Sequence, residues 1–156
     1  MRIGLGYDIH PLVTDRKFIL GGVLLPFDKG PKGHSDGDCL YHALTDAILG
    51  ALGLGDIGRH FPDHDPKWKD ADSAIFLKEA NRLIDERKLK IENIDANLHL
   101  EAPKLVPYIP AMTKNLSNLL GISADRINIK AKRGEGLDAV GKGEAVAAQA
   151  IILLTS

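Results

Sequence analysis

A chain of 156 residues with a net charge of -1 is the size of one domain around a single core, and that charge argues against a generic nucleic-acid or anionic-membrane binder. Its 44% hydrophobic and 26% charged residues are ordinary for a globular protein. The single cysteine, Cys39, excludes an internal disulfide framework and fits a reducing cytoplasm.

The opening "MRIGLGYDIH" has neither a continuous apolar stretch nor an Arg/Ser-rich amphipathic one, so no secretory or transit segment is expected. Residues 2–10 read as a strand. On it Asp8 and His10 share one face, roughly 6.5–7 Å apart, while Tyr7 and Ile9 take the other. A carboxylate and an imidazole at that spacing suit a shared metal ion or, equally, a solvated strand end. "KFILGGVLLPF" reads as a hairpin turning at Gly21-Gly22, and "DKGPKGHSDGD" as a loop.

From Asp38 to Gly53 the period becomes helical, with Leu40, Ala43, Leu44, Ala47, Ile48 and Ala51 on one stripe and Ser35, Asp36 or Asp38 as the cap. His42 lies nearly opposite that stripe. "GLGDIGRHFPDHDPKW" reads as a long polar loop, and a second helix is expected from about Asp72 to Lys88. "ENIDANLHLE" alternates: Ile94, Ala96, Leu98 and Leu100 face one way, Asp95, Asn97, His99 and Glu101 the other. A third helix follows "APKLVP" and stops at Gly121. "RINIKAK" is a strand, and "EAVAAQAIILL" reads as a strand buried on both faces. That apolar run is too short to span a bilayer, so no membrane partner is expected. The sum is α+β, a small mixed β-sheet with helices packed on one face, in a single domain.

Several clusters could carry chemistry. Asp8, His10 and His42 have the donor types of a three-ligand catalytic zinc site, with Asp46, one turn beyond His42, as an acceptor for its ring N–H. "HSDGD" offers N–H groups at a helix start, suited to phosphate. In "GDIGRHFPDHDP", Asp56, Asp63 and Asp65 suit a polyhydroxylated ligand or, with His60 or His64, a metal, although solvated turns account for them as well. "GLDAVGKG" has the P-loop spacing, but Gly143 stands where the Mg²⁺-binding hydroxyl belongs. Lys104, Lys130, Lys132, Arg133 and Lys142 suit a polyphosphate, with Glu135 holding a divalent cation against it.

In order along the chain, "RIGLGYDIHPL", "GGVLLPFDKGPKGHSDGD", "YHALTDAILGALGLGDIGRHFPDHDP", "ADS", "APK", "IPAM" and "GKGEA" together resemble the 2-C-methyl-D-erythritol 2,4-cyclodiphosphate synthase family of non-mevalonate isoprenoid biosynthesis. The resemblance implies a cytoplasmic homotrimer with active sites between adjacent subunits. It implies Zn²⁺ on Asp8, His10 and His42, and Mg²⁺ or Mn²⁺ on Glu135. His34 would stabilise the transition state, and His34 and Ser35 would contact the methylerythritol phosphate, with Asp8, Ile9 and His10 beside it. Asp56, Ile57, Gly58, Phe61, Pro62, Asp63, His64 and Asp65 would hold the sugar-derived portion. The cytidine pocket would come from Leu100, Glu101, Ala102, Pro103, Lys104, Leu105 and Val106, largely through main chain. Lys132, Arg133, Gly134 and Glu135 would lie at the diphosphate, with Lys142 near phosphate where the family usually has Arg.

The implied reaction is intramolecular. In 4-diphosphocytidyl-2-C-methyl-D-erythritol 2-phosphate, the 2-phosphate attacks the β-phosphorus, CMP leaves, and a cyclic diphosphate closes. No protein nucleophile is required. The family commonly has Thr at position 133, so Arg133 is expected to take over charge stabilisation there. A zinc phosphohydrolase is the rival reading.

Overall fold

The computed structural model describes residues 1–156. Seven strands, β1 (Arg2–Thr14), β2 (Phe18–Leu20), β3 (Val23–Leu25), β4 (Lys29–Pro31), β5 (Lys90–His99), β6 (Ile127–Lys132) and β7 (Ala145–Thr155), are interleaved with helices. These are α1 (Cys39–Leu52), α2 (Ile57–His60), α3 (Ala74–Glu86), α4 (Ile109–Leu120) and α5 (Asp138–Gly141). The main sheet has the order β4-β1-β7-β5-β6 and is mixed: β5 and β6 are parallel and the other pairs antiparallel. A parallel pair needs a crossover, and the segment carrying α4 supplies it. β2 and β3 form a separate hairpin whose turn, Gly21-Gly22, has φ of 57° and 69°, the positive values a two-residue hairpin turn demands.

The sheet is one-sided. On the inner face of β1, Gly4 and Gly6 let α1 lie almost directly on the strand: a Cβ on Gly6 would sit 1.8 Å from the carbonyl oxygen of Ala43, and one on Gly4 equally close to that of Ala47. The outer face carries Ile3, Leu5, Tyr7 and Ile9 of β1 and Ile151 of β7, all exposed, Leu5 by 65%.

Asp38 ties hairpin to helix. Fully buried, it caps α1 by accepting the Tyr41 N–H at 3.2 Å, and it accepts the turn N–H groups of Gly21 and Gly22 at 2.9 and 2.7 Å. Asp38→Ala strands three donors in the interior and should cost about 2–5 kcal/mol, read as a fall in denaturation midpoint at unchanged m-value.

Three expectations need correction. The loop after the hairpin contains β4, paired with Leu12–Thr14 of β1, because Gly30 can approach the chain where no side chain fits. The polar loop after α1 is not free of structure: it holds α2 and a 3₁₀ turn at Pro66–Trp68, each started by an aspartate cap. β7 is buried on both faces only over residues 145–148; beyond them Gln149 and Ile151 emerge on the outer face. α1 itself is buried nearly all round, His42 included, since Phe76 and Leu77 of α3 pack on the side away from the sheet.

Candidate metal centre and cleft

Beyond Gly4 and Gly6, the next two inward positions of β1 are Asp8 and His10, and α1 places His42 over them. Asp8 Oδ2 lies 2.8 Å from His10 Nε2 and 3.1 Å from His42 Nδ1, and the two ring nitrogens are 3.1 Å apart. Nothing else in the chain gathers three metal-ligating side chains in this way.

The surroundings fix the tautomers. His10 Nδ1 faces the carbonyl oxygen of Lys32 at 3.0 Å, which can only accept, so the proton is on Nδ1 and Nε2 presents a lone pair. The Ser73 hydroxyl gives its single proton to the Asp36 carboxylate, and therefore accepts from His42 Nε2 at 2.8 Å. His42 Nδ1 is then a lone pair as well. Ser35 Oγ lies 3.1 Å from the same Nε2.

With both imidazoles neutral, three acceptor atoms converge with no proton between them, an arrangement that calls for a cation or, in the metal-free protein, for a proton on a facing ring nitrogen. Tetrahedral zinc with bonds of about 2.0–2.2 Å spaces its ligands by roughly 3.3 Å, so this half-buried N₂O set fits it after a shift of a few tenths of an ångström. Burial alone would raise the Asp8 pKa, but hydrogen bonds from His10 and His42 hold its carboxyl well below the usual carboxylate range. Burial would lower His10, and the bond to Asp8 outweighs that and raises it. A folded pKa above the unfolded value of about 6.5 stabilises the metal-free protein below that pH, and the contribution is lost as pH rises through the raised value. Chelator-treated protein should accordingly melt lower at pH 8.5 than at pH 6 through this group. Zinc displaces the same proton, so zinc affinity should rise over that interval, as titration calorimetry at the two pH values would record.

Asp46 does not serve His42. Its carboxylate accepts the Ile57 N–H at 2.7 Å and so fastens α2, while the histidine's outer nitrogen is turned to the serines. Neither Ser73 nor Asp36 was identified for this role from the sequence. They stand 37 residues apart, and the "ADS" preceding α3 reads as an ordinary helix start.

The cluster opens on a cleft of about 450 Å³ whose walls include His34, Ser35, Ile57, Gly58, Phe61 and Asp63, closed on the apolar side by Trp68 and Phe76. Phe61 and Phe76 pack with centroids 4.7 Å apart. His34 Nε2 donates to the Asp65 carbonyl oxygen at 3.1 Å, which ties the 34–38 loop to the 61–65 loop. Asp56 and Asp65 spend a carboxylate oxygen each on capping, toward Arg59 N and Lys67 N, and His60 Nε2 donates to Leu54 O. The alternative metal set in this loop is therefore not assembled. Pro62 and His64 do not line the cleft.

The remaining candidates form a second group. His99 pairs with Lys132, Ala147 with His99, and Ile9 with Ala147, so residues 9, 147, 99 and 132 form one row across the sheet. Three strand spacings, roughly 14 Å, separate its ends. At the far end lie Leu100, Glu101, Ala102, Pro103, Lys104, Leu105 and Val106, beside Lys132, Arg133, Gly134 and Glu135. Leu100 and Leu105 are buried, whereas Lys104 and Val106 are exposed. The Arg133 guanidinium rests on the Glu101 carboxylate. Lys142 is exposed just after α5, a single helical turn that lacks the strand–loop–helix build of a P-loop. One chain thus carries both groups at one end of the sheet but does not join them in one cleft.

The chain matches the YgbB family over residues 1–155. A 2-C-methyl-D-erythritol 2,4-cyclodiphosphate synthase of Laribacter hongkongensis is 53% identical over 156 residues, spanning 100% of this chain and 96% of the relative. A solved 2C-methyl-D-erythritol-2,4-cyclodiphosphate synthase in a CDP-bound form superposes with a TM-score of 0.91 at 45% identity, covering 99% of this chain and 100% of the other. For IspF of Plasmodium falciparum in complex with CDP the TM-score is 0.87 at 39% identity, with 98% and 94% covered.

Proposed function

The chain belongs to the YgbB family, and from that premise we propose that it closes 4-diphosphocytidyl-2-C-methyl-D-erythritol 2-phosphate to 2-C-methyl-D-erythritol 2,4-cyclodiphosphate with release of CMP, in the cytoplasm. The observation that carries this reading is the convergence of Asp8, His10 and His42 on a cleft of about 450 Å³, in a chain similar from end to end to cyclodiphosphate synthases.

Asp8, His10 and His42 hold zinc, and Glu135 holds Mg²⁺ or Mn²⁺. When bound, these cations supply Lewis-acid polarisation and charge neutralisation for phosphoryl transfer. The chain's own residues then bend and hold the substrate. His34 and Ser35 bind the 2-phosphate end, His34 standing where charge builds. The α2 segment with Asp56, Ile57 and Gly58, and the 61–65 loop, enclose the sugar-derived part against Phe61 and Phe76. The 100–106 segment takes the cytidine through main-chain groups, and Lys132, Arg133 and Lys142 face the diphosphate. Holding attacking and leaving oxygens in line contributes several kcal/mol, up to roughly 7–11 in ideal cases.

The active unit is a homotrimer. Ile3, Leu5, Tyr7, Ile9 and Ile151 form an apolar face that a lone chain leaves in water, and the two halves of the site lie too far apart to complete one cleft. A second copy on that face covers it and brings a 100–106 segment to a neighbour's metal cluster. Light scattering should give three times the chain mass of 16.9 kDa. Leu5→Asp should yield a folded monomer with turnover reduced at least 100-fold; a folded, fully active monomer would contradict the split site.

The reading is tested by CMP release. Chelator-treated protein should be inactive, zinc alone should restore little, and zinc with Mg²⁺ should restore full turnover. Turnover without zinc would overturn the role of the three ligands.

A further inference from the structure

Glu101 belongs to the 100–106 segment, yet its side chain is spent elsewhere. Its Oε2 accepts the N–H groups of Gly134 and Glu135 at 3.1 and 3.0 Å, and its Oε1 accepts Arg133 Nε at 3.1 Å and a second guanidinium N–H. One carboxylate, 18% exposed, therefore holds three successive residues of the loop after β6. The backbone beside it is committed too, because the Leu100 N–H donates to Lys132 O at 2.9 Å and prolongs the β5–β6 ladder. Glu135 needs such support: its φ of 51° lies in the left-handed region that a non-glycine side chain rarely adopts. Successive N–H groups turned toward one anion form a concave site, and here the chain's own carboxylate fills it.

We propose that Glu101 is a positioning residue that fastens the loop presenting Arg133 and Glu135 to the cytidine segment, so that one side chain holds the divalent-cation site in register with the seated nucleotide. This rests on the reading above of the 100–106 segment and of Glu135. The Arg133 hydrogen bond, against an opposing effect of burial, keeps the carboxyl below its ordinary range.

Two variants separate the parts. In Glu101→Gln the amide oxygen still accepts the two backbone N–H groups, while the ion pair to Arg133 is gone. In Glu101→Ala both are gone. Hydrogen exchange by mass spectrometry, on the intact oligomer, should show protection of residues 134–136 falling at least tenfold in Glu101→Ala and staying within threefold of the parent in Glu101→Gln. Glu101→Ala should also raise the Mg²⁺ concentration for half-maximal turnover at least fivefold and lower kcat 10–100-fold. CDP affinity measured without Mg²⁺ should change less than threefold, and Glu101→Gln should recover most of kcat. Unchanged exchange in Glu101→Ala, or an unchanged Mg²⁺ requirement, overturns the proposal. If Glu101→Ala does not fold, Glu101→Asp, one methylene short of both N–H groups, takes its place with the same expectations. If the parent protein itself forms no cyclic product, the functional reading fails, and hydrogen exchange still decides whether Glu101 holds the loop.

Discussion

Asp8→Asn should abolish measurable zinc binding and lower turnover at least 1,000-fold, with the fold intact. The reason is electrostatic. His10 and His42 are fixed as lone-pair donors by Lys32 O and by the Ser73–Asp36 pair, so Asp8 brings the one negative charge among three atoms 2.8–3.1 Å apart. Asparagine keeps the shape and loses that charge, and its NH₂ group, if turned inward, occupies the position of a cation. Because Asp8 is half-buried rather than enclosed, the change leaves packing alone, and the circular dichroism spectrum should be unaltered. Metal analysis after dialysis, together with a CMP-release assay, checks both halves of the expectation. Zinc retained at parental stoichiometry would remove Asp8 from the ligand set.

Gly6→Ala should give protein without a cooperative unfolding transition. The new Cβ would stand 1.8 Å from Ala43 O and 2.8 Å from Ala47 N, all helix backbone that no rotamer change can move aside. Relief requires α1 to lift off β1 by well over an ångström. That breaks the packing of α1 on β1 and carries His42, the residue before Ala43, away from Asp8 and His10. The cost should exceed the roughly 1–3 kcal/mol usual for overpacking. Gly50→Ala is the contrast. It lies on the same helix, its nearest tertiary neighbour would be Leu5 O at 3.9 Å, and alanine favours the helix by about 0.5–1 kcal/mol. Gly50→Ala should therefore melt at or above the parent's midpoint, whereas Gly6→Ala should show no cooperative melt.

These two expectations touch residues of unequal legibility. Asp8 and His10 could be paired from the period of a strand, and His42 stood out because the apolar stripe of α1 did not need it. The Gly21-Gly22 hairpin and the Gly121 stop are local and legible from local signals, whereas the cap of α1 is narrowed only to Ser35, Asp36 or Asp38, and the structure selects Asp38. The reason for Gly4 and Gly6 was not visible: a glycine required by close approach of another element looks, in sequence, like any glycine in a strand. The Ser73–Asp36 pair behind His42 and the Glu101 contacts to the 133–135 loop each span more than 30 residues and follow no period. Asp46 was misread for the complementary reason. Its i+4 spacing from His42 was right, but spacing does not tell which N–H a carboxylate will meet, and that of Ile57 was the nearer. The outer-face residues of β1 and β7 alternate as a strand should, and only the sheet's one-sided cover gives their apolar character a consequence.

The most direct test of the functional reading is phosphorus NMR of the zinc- and magnesium-loaded protein with 4-diphosphocytidyl-2-C-methyl-D-erythritol 2-phosphate in ¹⁸O-labelled water. CMP and a cyclic diphosphate should appear in equal amounts, neither carrying solvent oxygen, because the 2-phosphate is the attacking group. A linear phosphate product carrying ¹⁸O would instead make this a zinc phosphohydrolase and contradict the cyclisation.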